Sequence, residues 1–137
     1  MIANFLDMTV GSFKTIDRKS AMKTIRLEDV KKEKMEMEGA ERVFKQVPIS
    51  KEAGSPSFCF RVFTIEPNGH TPYHTHNFEH LNYVINGQGA LVDAQGVEHQ
   101  IKAGEFALVL PNEKHQFQNM SETDPFVIIC AVPNEYE

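Results

Sequence analysis

The feature that most constrains the fold is a series of short β-prone segments separated by turn signals. The segments are RVFKQVPI (42–49), SFCFRVFTIEP (57–67), LNYVING (81–87), GALVDAQG (89–96), VEHQIKAGE (97–105), FALVLP (106–111), HQFQN (115–119) and FVIICAVP (126–133). Strands that recur about every ten residues between turns are typical of a β-sandwich or barrel. Asn68-Gly69 is predicted to close the second strand, and Asn86-Gly87 to form a type I′ hairpin turn. The sequence shows no alternation of strand and helix patterns and no GxGxxG motif. Residues 41–137 are therefore predicted to be all-β.

Residues 1–40 differ from this body, because they are rich in Lys, Glu and Met. Apolar residues at helical spacing between positions 27 and 34 are too few to predict a stable helix. We therefore expect an N-terminal arm, ordered by packing on the body or on a second subunit.

Composition excludes several classes of function. A chain of 137 residues fits one domain. Its 14 Lys and Arg against 19 Asp and Glu give a net charge of −5, so it lacks the clustered positive charge that nucleic acids require. No stretch approaches the ~18 apolar residues of a membrane span, and the N-terminus does not read as a secretory signal. A cytoplasmic protein is expected, with Cys59 and Cys130 as buried, reduced thiols.

Four of the six histidines lie within the stretch HTPYHTHNFEH, residues 70–80. If positions 74–80 form an extended strand, His74, His76 and His80 project from one face and can reach a common metal ion. Glu79 would then face away, although a bend at Asn77-Phe78 would make it a competing ligand. The remaining histidine of the stretch, at position 70, follows a turn and is expected to be exposed. A solvated, His-rich surface loop is the alternative to a metal site.

A second segment, GEFALVLPNEKHQFQN (104–119), places His115 at the start of a strand that could return to the same wall. Phe117, two residues later, would then line the cavity beside it. Arg61 is a lone charge within FCFRVFTI. It either faces the cavity and binds a substrate anion or lies outward at the rim, and we favour the outward orientation.

These two segments resemble the two sequence motifs of the cupin superfamily. The first motif is matched by Gly69, His74, His76 and Gly87. The spacing between Gly69 and His74 is one residue short, and His80 stands where the usual glutamate would fall. The second motif is approximated by Gly104, Pro111, His115 and Asn119. In this chain Glu113 stands where the motif has a glycine. Both departures are similar to small single-domain cupins in which HxHxxEH and PNExH supply four histidines.

The resemblance implies a double-stranded β-helix, or jelly-roll, barrel with a divalent metal near its mouth. The implied ligands are His74, His76, His80 and His115, and Ile128 and Cys130 would lie on the inward face of the last strand. One ion per chain is expected, Mn or Fe in preference to Zn, Ni, Cu or Co. Such cupins are commonly homodimers whose N-terminal segment packs on the partner.

The function expected from this resemblance is that of a metal-dependent oxidoreductase, similar to a dioxygenase, acting on a small enolisable or aromatic compound. Two alternatives remain open. One is a non-catalytic module that binds a metal or a small ligand, and the other is a Lewis-acid isomerase or lyase. Cupins include all of these activities, and a fold does not decide a function.

Overall fold

The computed structural model describes residues 13–15 and 22–137, in which strands follow one another at short intervals. Three short 3₁₀ helices, Leu27–Asp29, Lys51–Ala53 and Asn134–Tyr136, interrupt them. The all-β prediction is confirmed, and each of the eight predicted segments contains a strand. No helix in the described ranges is long and apolar enough to span a membrane. The strands are β1 (Lys14–Thr15), β2 (Lys23–Thr24), β3 (Glu33–Lys34), β4 (Glu41–Ile49), β5 (Phe58–His70), β6 (His80–Asn86), β7 (Gln88–Val92), β8 (Glu98–Lys102), β9 (Phe106–Val109), β10 (Gln116–Gln118) and β11 (Phe126–Pro133).

The long strand β5 joins the two halves of the barrel. Its neighbours β4 and β11 pair with it along most of its length, and its last residue, His70, pairs with Gln118 of β10. Every pairing is antiparallel, and the path β8-β7-β10-β5-β11-β6-β9 curls into a jelly-roll barrel. The prediction that Asn68-Gly69 ends this strand is wrong. Asn68 has a φ of +65°, and the register with β4 shifts there, so the pair forms an irregularity at which β5 bends and continues.

The predicted hairpin at Asn86-Gly87 is also wrong. β6 pairs with β9 and β11, whereas β7 pairs with β8 and β10, so the chain crosses between the two halves at this point. Gly87 has a φ of +77°, but Asn86 is not in the left-handed region that a type I′ turn requires at both positions. A Cβ atom on Gly87 would lie 2.2 Å from the carbonyl oxygen of Pro125. The glycine is therefore needed for a close crossing.

The core follows from the alternation of side chains along the strands. In β11 every second residue, beginning at Phe126, is buried, and Ile128 and Cys130 are among these inward-facing residues. Each fully buried apolar side chain of this size contributes about 1.5–3 kcal/mol to folding. The main cluster of buried side chains is formed by Val43, Ile65, Val84, Ile101, Phe117, Phe126 and Ile128.

Part of the predicted arm, residues 22–40, lies against the body. β3 pairs with β4, and the Gln46 side chain donates from Nε2 to the carbonyl oxygens of Leu27 and Val30 at 2.9 and 3.0 Å. These bonds satisfy the amide group of a residue that is only 8% exposed. Of the remaining arm residues, 13–15 contain β1, which pairs with β2, and 1–12 and 16–21 lie outside the described ranges. The boundary between arm and domain at position 40 stays a prediction.

Candidate metal centre

The two histidine segments meet through their backbones. His74 donates its N–H to the carbonyl of His115 at 3.2 Å, and His115 donates to the carbonyl of His74 at 3.0 Å. This isolated antiparallel bridge joins the loop after β5 to the start of β10. The prediction that residues 74–80 form one extended strand is wrong, because the chain bends at positions 77 and 78 and a strand resumes only at His80.

Four imidazole rings converge at this bridge. Ligand atoms of His74, His76 and His115 all lie within 4.8 Å of one another, which makes these residues a candidate metal-binding group. His80 is beside them, with its Nε2 atom 3.1 Å from Nε2 of His115 and its ring centroid 4.9 Å from that of His76. Glu79 is exposed and is not in the group.

The structure separates His70 from the cluster. It lies within β5, partly buried, and its Nδ1 is 3.3 Å from the side-chain nitrogen of Gln116. The expectation of an exposed turn residue is therefore wrong, because β5 continues through Asn68-Gly69 and carries His70 into the sheet.

Three of the four rings are held by an oxygen at Nδ1. His76 Nδ1 lies 2.9 Å from the carbonyl of Phe78, and His115 Nδ1 lies 2.8 Å from the carbonyl of Glu113. The amide of Asn82 occupies the same position at His80, with Oδ1 3.1 Å and Nδ2 2.9 Å from Nδ1. Asn82 Nδ2 donates to the carbonyl of Ala107, and Oδ1 can accept from His80 Nδ1 in the tautomer that a metal ligand at Nε2 requires. Each Nδ1 then carries the proton, and each Nε2 presents a lone pair.

Burial keeps the imidazoles of His74, His80 and His115 neutral. His80 and His115 are 4% and 5% exposed. Desolvation lowers the pKa of His80 to about 3, and it also lowers the pKa values of His115 and His74. Neutral imidazole is the form that binds a metal ion, so the donors are ready for coordination at neutral pH.

The rings surround one side of a cavity of about 230 Å³ inside the barrel. All four residues proposed from the sequence as pocket residues, Arg61, Phe117, Ile128 and Cys130, line this cavity. The outward orientation that we favoured for Arg61 is wrong. Its side chain is only 14% exposed, because its position in β5 has the same inward parity as Phe63.

Sequence reasoning missed several lining residues. Asn82 follows His80 by two positions in β6, so strand parity alone could have identified it. Lys45 lies two positions after the buried Val43 in β4, so strand parity could have identified it as well. The contribution of the arm, which supplies Met35 and Met37, had no such signal, because it depends on how that segment packs on the body. Asn119, from the second motif, instead binds the carbonyls of Ile65 and Asp124 and shapes a loop.

Comparison with known proteins identifies the family. A model of the cupin domain matches residues 61–132, which contain both histidine segments. The chain belongs to the cupin family. No curated protein sequence is similar enough to match it.

Several solved structures have the same architecture. The polyketide cyclase RemF from Streptomyces resistomycificus is 30% identical, with a TM-score of 0.77 over 82% of this chain and 79% of that one. A predicted oxalate decarboxylase from Thermotoga maritima is 23% identical, with a TM-score of 0.70 over 81% and 98% of the two chains. A cupin-2 domain protein from Rhodospirillum rubrum is 20% identical, with a TM-score of 0.66 over 77% and 68%. The latter two likenesses support the fold alone.

Proposed function

We propose that this cupin is a metal-dependent enzyme that binds one divalent cation through His74, His76, His80 and His115. The observation that carries the proposal is the approach of two Nε2 atoms, from His80 and His115, to 3.1 Å. In the tautomers in which both Nδ1 protons are donated to oxygens, these nitrogens present lone pairs to each other, and both can bind one cation. Such an arrangement repels unless a cation lies beside both atoms.

The donor set fits a first-row transition metal. Two nitrogens bound to one ion at about 2.1 Å and at right angles lie about 3 Å apart, close to the observed separation. Imidazole suits Fe, Zn, Cu and Ni, and we retain Mn or Fe as the preferred ions over Zn, Ni, Cu or Co. Four neutral donors leave the full charge of the ion, which favours anionic oxygen ligands such as enolates.

The likeness to RemF supports a cyclase-type reaction on a small enolisable or aromatic compound. A bound divalent cation would supply Lewis-acid polarisation of the substrate's oxygen atoms. The protein's own contribution is the cavity wall. Phe63, Phe117 and Ile128 provide an apolar surface that holds an aromatic ring and excludes water. His76 and His115, held at Nδ1, keep their orientation as substrate enters.

A dioxygenase acting on the same class of compound is the second candidate. Mn or Fe at this site would permit oxygen chemistry, and four protein ligands would leave coordination positions open for substrate and O2. The two reactions differ in a simple way, since cyclisation consumes no oxygen.

The deciding experiment measures metal and activity in the same preparation. Protein purified without chelator or nickel resin is analysed for metal content, and stoichiometric Mn, Fe, Zn, Ni, Cu or Co is expected. The loaded protein is then incubated with linear poly-β-ketones, enolisable diketones and flavonols while oxygen uptake and product mass are recorded. A dehydrated product without oxygen uptake supports the cyclase, and oxygen uptake supports the dioxygenase. Protein that binds none of these metals would overturn the proposal.

We also propose that the protein is a homodimer that uses the outer face of the barrel. Four neighbouring strands each place one apolar residue in a single row across the sheet: Phe60, Ala131, Leu81 and Leu108. Phe60, Leu81 and Leu108 are 46%, 56% and 56% exposed, although each is apolar. Contiguous exposed apolar surface marks interaction sites. A second copy related by two-fold symmetry would cover this row with the same row of its own.

A further inference from the structure

Two charged side chains, Lys45 and Arg61, lie on the cavity wall apart from the histidines, and a third, Glu137, contacts them from outside that cavity. Lys45 on β4 and Arg61 on β5 both approach the side chain of Glu137. The Lys45 ammonium nitrogen is 3.0 Å from one carboxylate oxygen, and Arg61 Nε is 3.9 Å from the other. All three side chains are largely buried, with exposures of 29%, 14% and 19%. Two cations therefore share one carboxylate, which leaves excess positive charge inside the barrel.

The Arg61 guanidinium has few acceptors for its five N–H donors. Its Nη2 donates to the thiol sulfur of Cys130 at 3.0 Å, and a thiol is a weak acceptor. Its buried Nε has no hydrogen-bond partner among the described residues. A buried cation without full hydrogen bonding costs free energy that an incoming anion would recover.

This cation is close to the candidate metal centre. The sulfur of Cys130, which accepts from Arg61, lies 3.6 Å from Nδ1 of His80. Arg61, His74 and His80 also line the same cavity. A ligand in the cavity can therefore reach the histidines and the guanidinium at the same time.

We propose that Arg61 and Lys45 form a subsite for an anionic group of the substrate, and that the Glu137 carboxylate occupies this subsite in the free protein. The inference rests on the proposed function and narrows its substrate class to enolisable or aromatic acids. The substrate's donor oxygens face the histidines, its ring packs on Phe63 and Phe117, and its carboxylate or other oxyanion binds the two cations.

The position of Glu137 fits a displaceable occupant. It follows the short helix Asn134–Tyr136, and the Tyr136 ring stacks on Phe78 at a centroid distance of 3.9 Å. Phe78 in turn stacks on His76 at 4.1 Å. The segment that carries Glu137 is thus attached to the cavity by ring contacts, which persist when the carboxylate moves away from Lys45.

The test uses metal-free protein and two probes of equal shape, 2-naphthoate and the neutral 2-naphthamide, titrated by calorimetry. Naphthoate is expected to bind at least about tenfold more tightly than the amide, as charged hydrogen bonds of this kind allow. Arg61→Gln and Lys45→Met should abolish that preference. Glu137→Gln removes the competing carboxylate and should tighten naphthoate binding by about tenfold. Lys102→Met, at an exposed lysine on β8 away from this group, is the matched control and should change nothing.

Equal binding of the two probes, or an unchanged preference in Lys45→Met, would overturn the subsite. Lys45 decides this point if Arg61→Gln does not fold. Naphthoate binding that does not tighten in Glu137→Gln would overturn the role of Glu137 as occupant. A parallel titration with Mn²⁺ and Zn²⁺ separates this inference from the proposed function, because loss of the subsite leaves metal affinity intact. A protein that binds naphthoate but no metal would contradict the proposed function alone.

Discussion

His80 and His115 are 35 positions apart in sequence, yet their Nε2 atoms lie 3.1 Å from each other inside the barrel. Two structural elements produce this contact. Strand β6 carries His80, and an isolated backbone bridge holds His115 against His74. Both nitrogens are buried, and both rings have their other nitrogen bound to a protein oxygen.

Removing His80 should sharply weaken metal binding. His80→Ala deletes one of the two facing Nε2 donors, and a fall of at least about tenfold in affinity is expected, as for losses of metal-binding groups in general. Metal titration of the chelator-treated protein measures the effect. Glu79→Ala is the matched control on the adjacent, exposed position and should bind metal like the unmodified protein. The reverse result would mean that the carboxylate, and not His80, is the ligand.

Asn82 should act through the orientation of His80. Asn82→Leu removes the acceptor at His80 Nδ1, so the ring loses the bond that keeps its Nε2 directed at the cluster. Metal affinity should fall by about tenfold or more while the fold is retained, as judged by circular dichroism. Asn86→Leu, on the same strand but bonded to the carbonyl of Pro125, is the control. An equal loss of affinity in both variants would point to a general effect on β6.

The stability of the metal-free protein should fall in acid. His80 has a pKa of about 3 when folded and an ordinary value of 6.5 when unfolded, so the unfolded chain takes up a proton that the folded chain does not. Its contribution is complete above pH 6.5 and is lost as the pH falls towards 3. The slope is about 1.4 kcal/mol per pH unit for each histidine that protonates only on unfolding.

Urea unfolding in the presence of chelator, from neutral pH to about pH 5, measures this slope. His80→Asn should show a shallower dependence of the unfolding free energy on pH. His99→Asn, at an exposed histidine paired with Asp93, serves as the control for removing a histidine elsewhere. A slope in His80→Asn as steep as in the unmodified protein would contradict a neutral, buried imidazole.

Gly87 should tolerate no side chain. Gly87→Ala places a Cβ atom 2.2 Å from the carbonyl of Pro125 and also strains a backbone with φ +77°. Gly96→Ala is the matched control, because its φ of +80° is similar but its Cβ meets open space. The control should cost about 1–2 kcal/mol from backbone strain, and Gly87→Ala should cost clearly more. Equal free energies of unfolding in urea would show that the crossing can relax.

The outer face should govern self-association. Leu108→Lys introduces a charge into the proposed dimer row of Phe60, Ala131, Leu81 and Leu108, so analytical ultracentrifugation should show a monomer where the unmodified protein is a dimer. Val97→Lys changes a residue of similar exposure, 50%, outside that row and should leave the dimer intact. A monomeric unmodified protein would rule out the proposed interface.

The sequence predicted the strands better than their connections. Alternation and turn signals are local, so β4 to β11 could be identified within a few residues of their ends. The hairpin predicted at Asn86-Gly87 was wrong because the turn propensity of two residues shows only which backbone conformations they can adopt. Whether a hairpin forms depends on which strands pair with each other. The predicted strand end at Asn68-Gly69 was wrong for a similar reason. β5 continues past this pair because His70 still pairs with β4 and β10.

The histidine cluster also depends partly on local sequence and partly on long-range strand pairing. The sequence by itself determined which side chains are available, the imidazole donors among them, the inward parity of Phe117 and the all-β architecture, because these depend on residue type and local period. Only the tertiary structure decided that a bend, and not a continuous strand, brings His74, His76 and His80 together. It also turned Arg61 inward beside Cys130 and placed Lys45 and Glu137 next to it. These outcomes depend on long-range pairing among β4, β5, β6 and β11, whose register is set by burial across the whole barrel and by no single segment.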